Sequence, residues 1–407
     1  MRELCMNCGG SELSEFIDLG DQPNGNDFLF PNEKGNEYSF PLKMLVCKNC
    51  WQVQIDEFPD PEFMFSNHPY ITGVNVPVVN HFNQLAKHIV EKCGFQKNDL
   101  VIDVGCNDGT LLRAFEDCGL RTLGVDPGKR TGELAKNQGK IVFETFFSEK
   151  SGSALSELGI RPDIVTATAV FYHVPDLHDF VRGLSHLLSD DSVFVVQCVS
   201  IRALLEHNEF DHFYHEHSCI HGVMPLDSLF HEHDMKIIDV EQSEIHGGSF
   251  ILYVAKNASK RPVSDNVAKT IDEEVSAGIN DMRSYTEFEQ RVRENAIEVK
   301  AFLEKVVAEG KTIYALGAPV KGSTFLNYAG IGADLVSCAV EVNEFKIGRL
   351  VPGTNIPVVD ESTLDEQPDY YLVLAWNFID FLKEKYSDYL GNGGQFVAAV
   401  PKLTIIP

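Results

Sequence analysis

Two hydrophobic regimes alternate along this chain: short apolar runs that end in glycine, and longer stretches whose apolar residues recur at helical spacing. Residues 101–113 read Val-Ile-Asp-Val-Gly-Cys-Asn-Asp-Gly-Thr-Leu-Leu-Arg, an apolar strand entering a glycine turn and then a segment of helical character. Gly124-Val125-Asp126 closes a second strand about 20 residues on, and the whole predicts a nucleotide-binding βαβ unit. Thr166-Ala-Thr-Ala-Val-Phe-Tyr-His-Val174 reads as the fourth strand and its turn, and Val193-Phe-Val-Val-Gln197 as the fifth. An amphipathic helix is expected near residues 79–92. Residues 263–309, charged and poor in glycine, predict helices joining two domains, their dense Glu and Lys forming a solvated face. From Thr312 to Tyr328 the strand, glycine turn and helix recur, and residues 336–340 and 370–375 supply further strands of a second, smaller α/β layer.

The glycines of the first turn are Gly105 and Gly109, with Asn107 and Asp108 between, so the Gly-x-Gly-x-x-Gly fingerprint that cradles a pyrophosphate is missing. A dinucleotide is disfavoured. S-adenosylmethionine has no phosphate and presents an ammonium, a sulfonium and a ribose diol, which suit acidic side chains and backbone groups. Asp103 and Asp126 stand where such partners are needed, at the carboxyl ends of two strands. The bland alternative is an ordinary buried strand and glycine turn of any doubly wound sheet.

At 407 residues the chain has room for two or three domains. A formal net charge of −26 argues against nucleic acid and anionic membrane surfaces as partners, because both are bound by clustered Lys and Arg. No apolar run approaches a membrane span and the start lacks a signal peptide's core, so a soluble, cytoplasmic protein is expected. Ten cysteines are too few for a disulfide scaffold, but four form two close pairs, Cys5-x-x-Cys8 and Cys47-x-x-Cys50, at the spacing of zinc knuckles. All fourteen histidines lie between His68 and His246, so a metal site in the first sixty residues must use the four thiolates, and a closed site of that kind is structural. The expected organisation is a zinc-binding lobe over residues 1–66, a cofactor domain over 67–255, a helical connection over 256–310 and a smaller α/β domain over 311–407.

Glu209-Phe-Asp-His-Phe-Tyr-His-Glu-His217 is the densest titratable stretch. Three readings are open: a metal site from His215, His217 and His221; satisfied structural histidines; or a general base with Tyr214 and Glu216 as helpers, for which histidine has a suitable pKa without much tuning. The turn Gly317-Ala-Pro-Val-Lys-Gly322 is no Walker loop, yet a helix start with free amides, Lys321 and Ser323 is suited to a phosphate; a structural turn is the equal alternative.

Taken together, these residues resemble the sugar C-methyltransferases that act on nucleotide-linked 4-keto-6-deoxyhexoses. The resemblance rests on the four cysteines, Leu19-Gly20-x-x-Pro23, Asp103-x-Gly-x-Asn-Asp-Gly109, Tyr214-His-Glu-His217, His246-Gly-Gly-Ser249, Gly317-Ala-Pro-x-Lys-Gly322, Leu326-Asn-Tyr328, Pro352-Gly353 and Ala375-Trp-Asn377. It implies a zinc lobe, a Rossmann-like class I methyltransferase core and a carboxyl-terminal Rossmann-like unit for the nucleotide sugar. It also implies His217 as the base, with Tyr214 and Glu216 in the same pocket. Cofactor contacts would come from Asp103, Gly105, Asn107, Asp108, Gly109 and Asp126, with Phe146 and Phe147 near the adenine. Substrate contacts would come from Tyr70, His246, Ser249, Lys321, Asn327, Trp376 and Asn377. Two positions depart from the family pattern: Thr145 stands where an aspartate often precedes the two phenylalanines, with Glu144 as a substitute, and Glu341-Val-Asn-Glu344 replaces an Asp-x-Asn-Pro tract. The latter makes a nucleotide other than thymidine diphosphate credible.

The implied chemistry is deprotonation at C3, made acidic by the C4 ketone, with Tyr214 or His173 donating to the enolate oxygen. The alternatives are an O-methyltransferase on a sugar or small phenol, and a non-catalytic sugar-nucleotide-binding protein.

Overall fold

The computed structural model describes residues 2–66 and 68–407. Three sheets organise the described residues. The first is antiparallel, ordered Leu13–Pro23, Ser39–Cys47, Val53–Ile55 and Cys219–Ile220. Its last strand comes from far along the chain: Val53 pairs with Ile220 and Gln54 with Cys219. The lobe around the cysteine pairs is thus stitched to the segment that carries the histidine cluster.

The second sheet has seven strands in the order Met235–Ser243, Ser249–Lys256, Val193–Val199, Ile164–Thr168, Leu100–Val104, Arg121–Val125 and Val142–Phe143. Leu100–Val104 pairs in parallel with Arg121–Val125 on one side and Ile164–Thr168 on the other. The chain therefore reverses its direction of winding there, and a crevice opens at the carboxyl ends of those strands. Val193–Val199 is buried along its whole length, which explains its apolar sequence, broken only by Gln197, whose Oε1 meets His81 Nε2 at 2.8 Å. The amphipathic helix runs Val76–Cys93; Asn75 caps it by accepting the Val78 N–H, and Gly94, at φ 74°, ends it in the left-handed conformation.

The third sheet repeats the arrangement on a smaller scale: Val358–Asp360, Ala339–Glu341, Ile313–Leu316, Tyr370–Val373 and Gln395–Ala398 are parallel, with Thr404–Ile406 antiparallel at the edge. Its reversal lies between Ile313–Leu316 and Tyr370–Val373. The connection holds helices Asp265–Ser276 and Met282–Ala308. The long helix does more than span a gap, because Tyr285, Phe288, Val292, Val299 and Leu303 are buried in one core shared by the amino-terminal lobe and the third sheet. Phe16 of the lobe meets Tyr285 at 5.0 Å between ring centroids, and Phe213 meets Phe288 at 6.0 Å. None of the described helices is long and apolar enough to cross a membrane.

Candidate active site

Sγ atoms of Cys5 and Cys50 lie 3.5 Å apart and those of Cys8 and Cys47 3.6 Å apart, and all four are within 4.8 Å of one another. Sulfurs about 2.3 Å from a central tetrahedral ion would be separated by about 3.8 Å, so the four cysteines fit zinc. Hydrogen bonds from Cys50 and from backbone amides pull the Cys5 thiol down to about 5, against the effect of burial. Asn7 donates its Nδ2–H to Pro225 O at 2.8 Å and also faces Cys50 Sγ, so the knuckles dock on the second domain. Among the described residues no other His, Cys, Asp and Glu side chains group in this way. The trio His215, His217 and His221 is dispersed: His215 donates to Pro41 O, and His221 lies beside Gln52 Oε1.

At the crevice of the second sheet lies a cavity of about 500 Å³, walled by Asp103, Gly105, Asn107, Asp126, Phe146 and Phe147. Gly105, at φ 74°, admits no side chain, because a Cβ would fall 2.3 Å from Val170 Cγ2. Asp126 accepts the N–H groups of Asn107 and Gly128, each at 2.8 Å, and the Thr131 hydroxyl at 3.1 Å; burial outweighs these bonds and raises its carboxyl. Burial likewise pushes Asp103 up to about 7, although it accepts the Thr166 hydroxyl at 2.6 Å. Two carboxyls buried in one cavity wall fit a positively charged ligand carrying a diol, as S-adenosylmethionine is. Asp108 and Gly109 lie behind the turn, outside the cavity wall.

A second cavity, of about 590 Å³, lies between the second and third sheets and is bordered by Tyr214, Glu216, His217, His246, Lys321 and Asn377. His68, Tyr70, Ala169, His173 and His246 line both cavities, so the two spaces share one wall. His217 donates its Nδ1–H to the His212 carbonyl at 2.6 Å, since a carbonyl can only accept. This tautomer leaves Nε2 with its lone pair free. Burial, reinforced by His173 and His212, holds His217 well below the usual histidine range, so it is neutral. His173 is oriented the same way, Nδ1 to Glu216 O at 2.7 Å, and burial lowers it to about 4. Glu216 is held between Asn26 Nδ2 and His68 Nε2, the latter at 3.0 Å; burial raises its carboxyl, but His68, His173 and Asn26 together hold it below the usual carboxylate range. Tyr214 stacks on His217 at 3.8 Å, and burial pushes its phenol well above 10, so it keeps its proton.

The third sheet contributes cations. Lys321, in the first turn of the helix Val320–Ala329, stands 4.0 Å over the Trp376 ring and donates to Asn377 Oδ1. Trp376 donates its Nε1–H to Asp211 Oδ2 at 2.7 Å. Burial, and repulsion from Asp211, push Glu209 up to about 9. Lys346 donates to Ala318 O at 2.8 Å and borders the same cavity.

Family models match this chain along most of its length: a zinc binding domain over residues 5–65, a methyltransferase domain over 79–240 and a C-methyltransferase C-terminal domain over 244–401. C-methyltransferase NovU of Streptomyces niveus is 31% identical over 404 residues, covering 99% of this chain and 96% of NovU. The chain belongs to the C-methyltransferase family.

Part of this C-methyltransferase, 30% of its length, is also 23% identical to a ubiquinone biosynthesis O-methyltransferase of Azorhizobium caulinodans, covering 47% of that protein. Magnesium protoporphyrin IX methyltransferase from Synechocystis PCC 6803, solved with bound S-adenosylmethionine, aligns with 44% of this chain and 81% of its own at a TM-score of 0.34 and 17% identity. The methyltransferase domain matched over residues 79–240 carries Asp103 and Asp126, and the zinc binding domain matched over residues 5–65 carries the four-cysteine cluster.

Of the residues expected to contact substrate, Tyr70, His246, Lys321 and Asn377 border the cavity between the sheets, and Trp376 backs Lys321. Two are turned away from it. The Ser249 hydroxyl donates to Ile245 O at 2.9 Å, four residues back, and Asn327 Nδ2 donates to Ser323 O at 2.8 Å and to Pro352 O at 2.9 Å, tying its helix to the Pro352-Gly353 turn. Sequence reasoning missed Asn26, His68 and Lys346. Asn26 lies in the turn-rich insertion between the cysteine pairs, and its 190-residue separation from Glu216 leaves no local signal.

Cys47→Ser should lose the one zinc held per chain and destabilise the lobe, measured by metal analysis and thermal melting. A folded variant with full zinc content would remove Cys47 from the site. Asp126→Ala should weaken S-adenosylhomocysteine binding by at least about tenfold in calorimetry, the loss of a charge-assisted hydrogen bond. Equal affinity would take Asp126 out of cofactor recognition.

Proposed function

We propose that this C-methyltransferase methylates C3 of a nucleotide-linked 4-keto-6-deoxyhexose through an enolate, in the making of a branched deoxysugar. The observation that carries the reading is the free Nε2 of a neutral, buried His217 in a cavity that shares a wall with the donor cavity. S-adenosylmethionine, when bound, supplies an electrophilic methyl group on a sulfonium. All else is positioning and proton handling by the chain.

His217 Nε2 accepts the proton from the carbon beside the ketone, and the C–H electron pair becomes the enolate. A protonated Tyr214 donates to the developing oxyanion, with the neutral His173 ring on the shared wall beside it. The His212 carbonyl that fixes the His217 tautomer also stabilises the imidazolium that forms. Lys321, Lys346 and the amides that open the helix Val320–Ala329 offer the sugar's diphosphate a basic pocket inside an acidic protein. Holding both reactants across one wall replaces a bimolecular encounter, an effect that can offset about 7–11 kcal/mol of barrier. An O-methyltransferase would need only a hydroxyl at the same base; the family membership favours carbon.

Incubation with methyl-labelled S-adenosylmethionine and a panel of nucleotide-linked 4-keto-6-deoxyhexoses should yield a product whose label is bonded to C3 by NMR. A label on oxygen would refute the assignment. His217→Asn should lower kcat by about 10²–10⁴, the usual worth of a general base. Because the folded His217 pKa lies far below 6.5, the base stays unprotonated as pH falls. Between pH 7.5 and 6, kcat/KM should fall by less than about twofold, whereas a histidine titrating at 6.5 would lose about fourfold. A half-loss centred near 6.5 would contradict the neutral base.

A further inference from the structure

The Asn107 and Asp108 side chains point away from the donor turn that carries them. Asn107 Oδ1 accepts the Thr72 N–H at 3.0 Å, and its Nδ2 donates to the Tyr70 carbonyl at 3.1 Å. Asp108 Oδ2 accepts the Gly73 N–H at 2.9 Å, while its Oδ1 is engaged by Thr110, hydroxyl at 2.7 Å. The approach at Gly73 is tight: a Cβ there would lie 2.5 Å from Asp108 Oδ2 and 3.2 Å from Thr110 Oγ1. On its other side Asn107 gives its backbone N–H to Asp126 Oδ2, and it sits at φ 50°, a conformation asparagine tolerates.

The strap clasped by these three bonds is part of both cavities. Tyr70 lies in the shared wall, while Ile71, Val74 and Asn75 border only the cavity between the sheets. Just before it, His68 reaches Glu216, the neighbour of His217. An unbroken hydrogen-bonded line therefore runs from Asp126 through Asn107 to the backbone of residues 70–73.

We infer that Asn107 and Asp108 are positioning residues, a latch through which a ligand in the donor cavity fixes the wall of the acceptor cavity, so that the two binding events favour each other. The inference rests on the donor cavity being the cofactor's. A ligand seated against residues 105–107 and Asp126 immobilises the Asn107 backbone, and with it the amide that clasps residues 70–72. Without that ligand the clasp opens more often, and the acceptor wall with it. Coupling of this kind is reciprocal, and about five- to tenfold lies at the modest end of its ordinary range.

Hydrogen exchange on the full-length, zinc-loaded chain, with and without saturating S-adenosylhomocysteine, reads the latch without needing the sugar. Amides of residues 71–75 should exchange about five- to tenfold more slowly with the ligand bound. Asn107→Gly, which suits the positive φ, should lose that slowing when compared at a ligand concentration that calorimetry shows to saturate the variant. Asn107→Asp retains an acceptor for Thr72 and should restore part of it, which a merely structural defect would not allow. Unchanged exchange at residues 71–75 in wild type with ligand bound, or equal slowing in Asn107→Gly, would overturn the latch alone. Absence of any binding heat in wild type would overturn the donor cavity's assignment and the latch with it.

Discussion

One stretch of chain, residues 209–220, is held from three sides, and the candidate chemistry depends on that. Ile220 and Cys219 complete the sheet of the zinc lobe. The Ser218 hydroxyl donates to Val174 O at 2.7 Å, tying the stretch to the second domain. Asp211 accepts from Trp376 of the third. His217 takes its tautomer from the His212 carbonyl inside that stretch and its packing from Tyr172, His173 and Tyr214. The zinc lobe matters to the site through its chain: it supplies the strand that fixes the residues after His217 and the Asn26 amide that bonds to Glu216.

Both larger sheets reverse their winding at the strand that opens them, and each reversal makes a crevice at the strands' carboxyl ends. The aromatic core of the long helix Met282–Ala308 joins the third sheet to the zinc lobe and to Ile201, Leu204, Phe210 and Phe213, which follow the strand Val193–Val199. The electrostatics divide accordingly. The second sheet lines its cavity with buried carboxyls, and the third brings two lysines to the other side of the shared wall. On that wall burial lowers His173 to about 4 and His246 to about 3, so both rings are neutral.

The elements were legible in the sequence wherever a period or a glycine marks them: strand, turn and helix at residues 101–113, the same grammar from Thr312, and the cysteine pairs. Cys219–Ile220 was not, since two residues carry no period and only pairing with Val53 makes them a strand. The shared aromatic core was hidden because the helical stretch showed its charged face. Within the site, residue type was readable but direction was not. Asn107 and Asp108 look like cofactor ligands by position, yet their side chains turn to residues 70–73; Ser249 and Asn327 look like substrate contacts, yet their polar atoms are taken by nearby carbonyls. Asn26, His68 and Lys346 reach the cavity over separations that no local pattern records.

The central chemical claim is that His217 Nε2 takes the proton from the carbon beside the ketone. Solvent exchange tests it most directly. In heavy water, with S-adenosylhomocysteine in the donor cavity and a nucleotide-linked 4-keto-6-deoxyhexose as substrate, the wild-type protein should replace the C3 hydrogen with deuterium, and His217→Asn should slow that exchange by at least about 10². Exchange at the same rate in both proteins would contradict the claim.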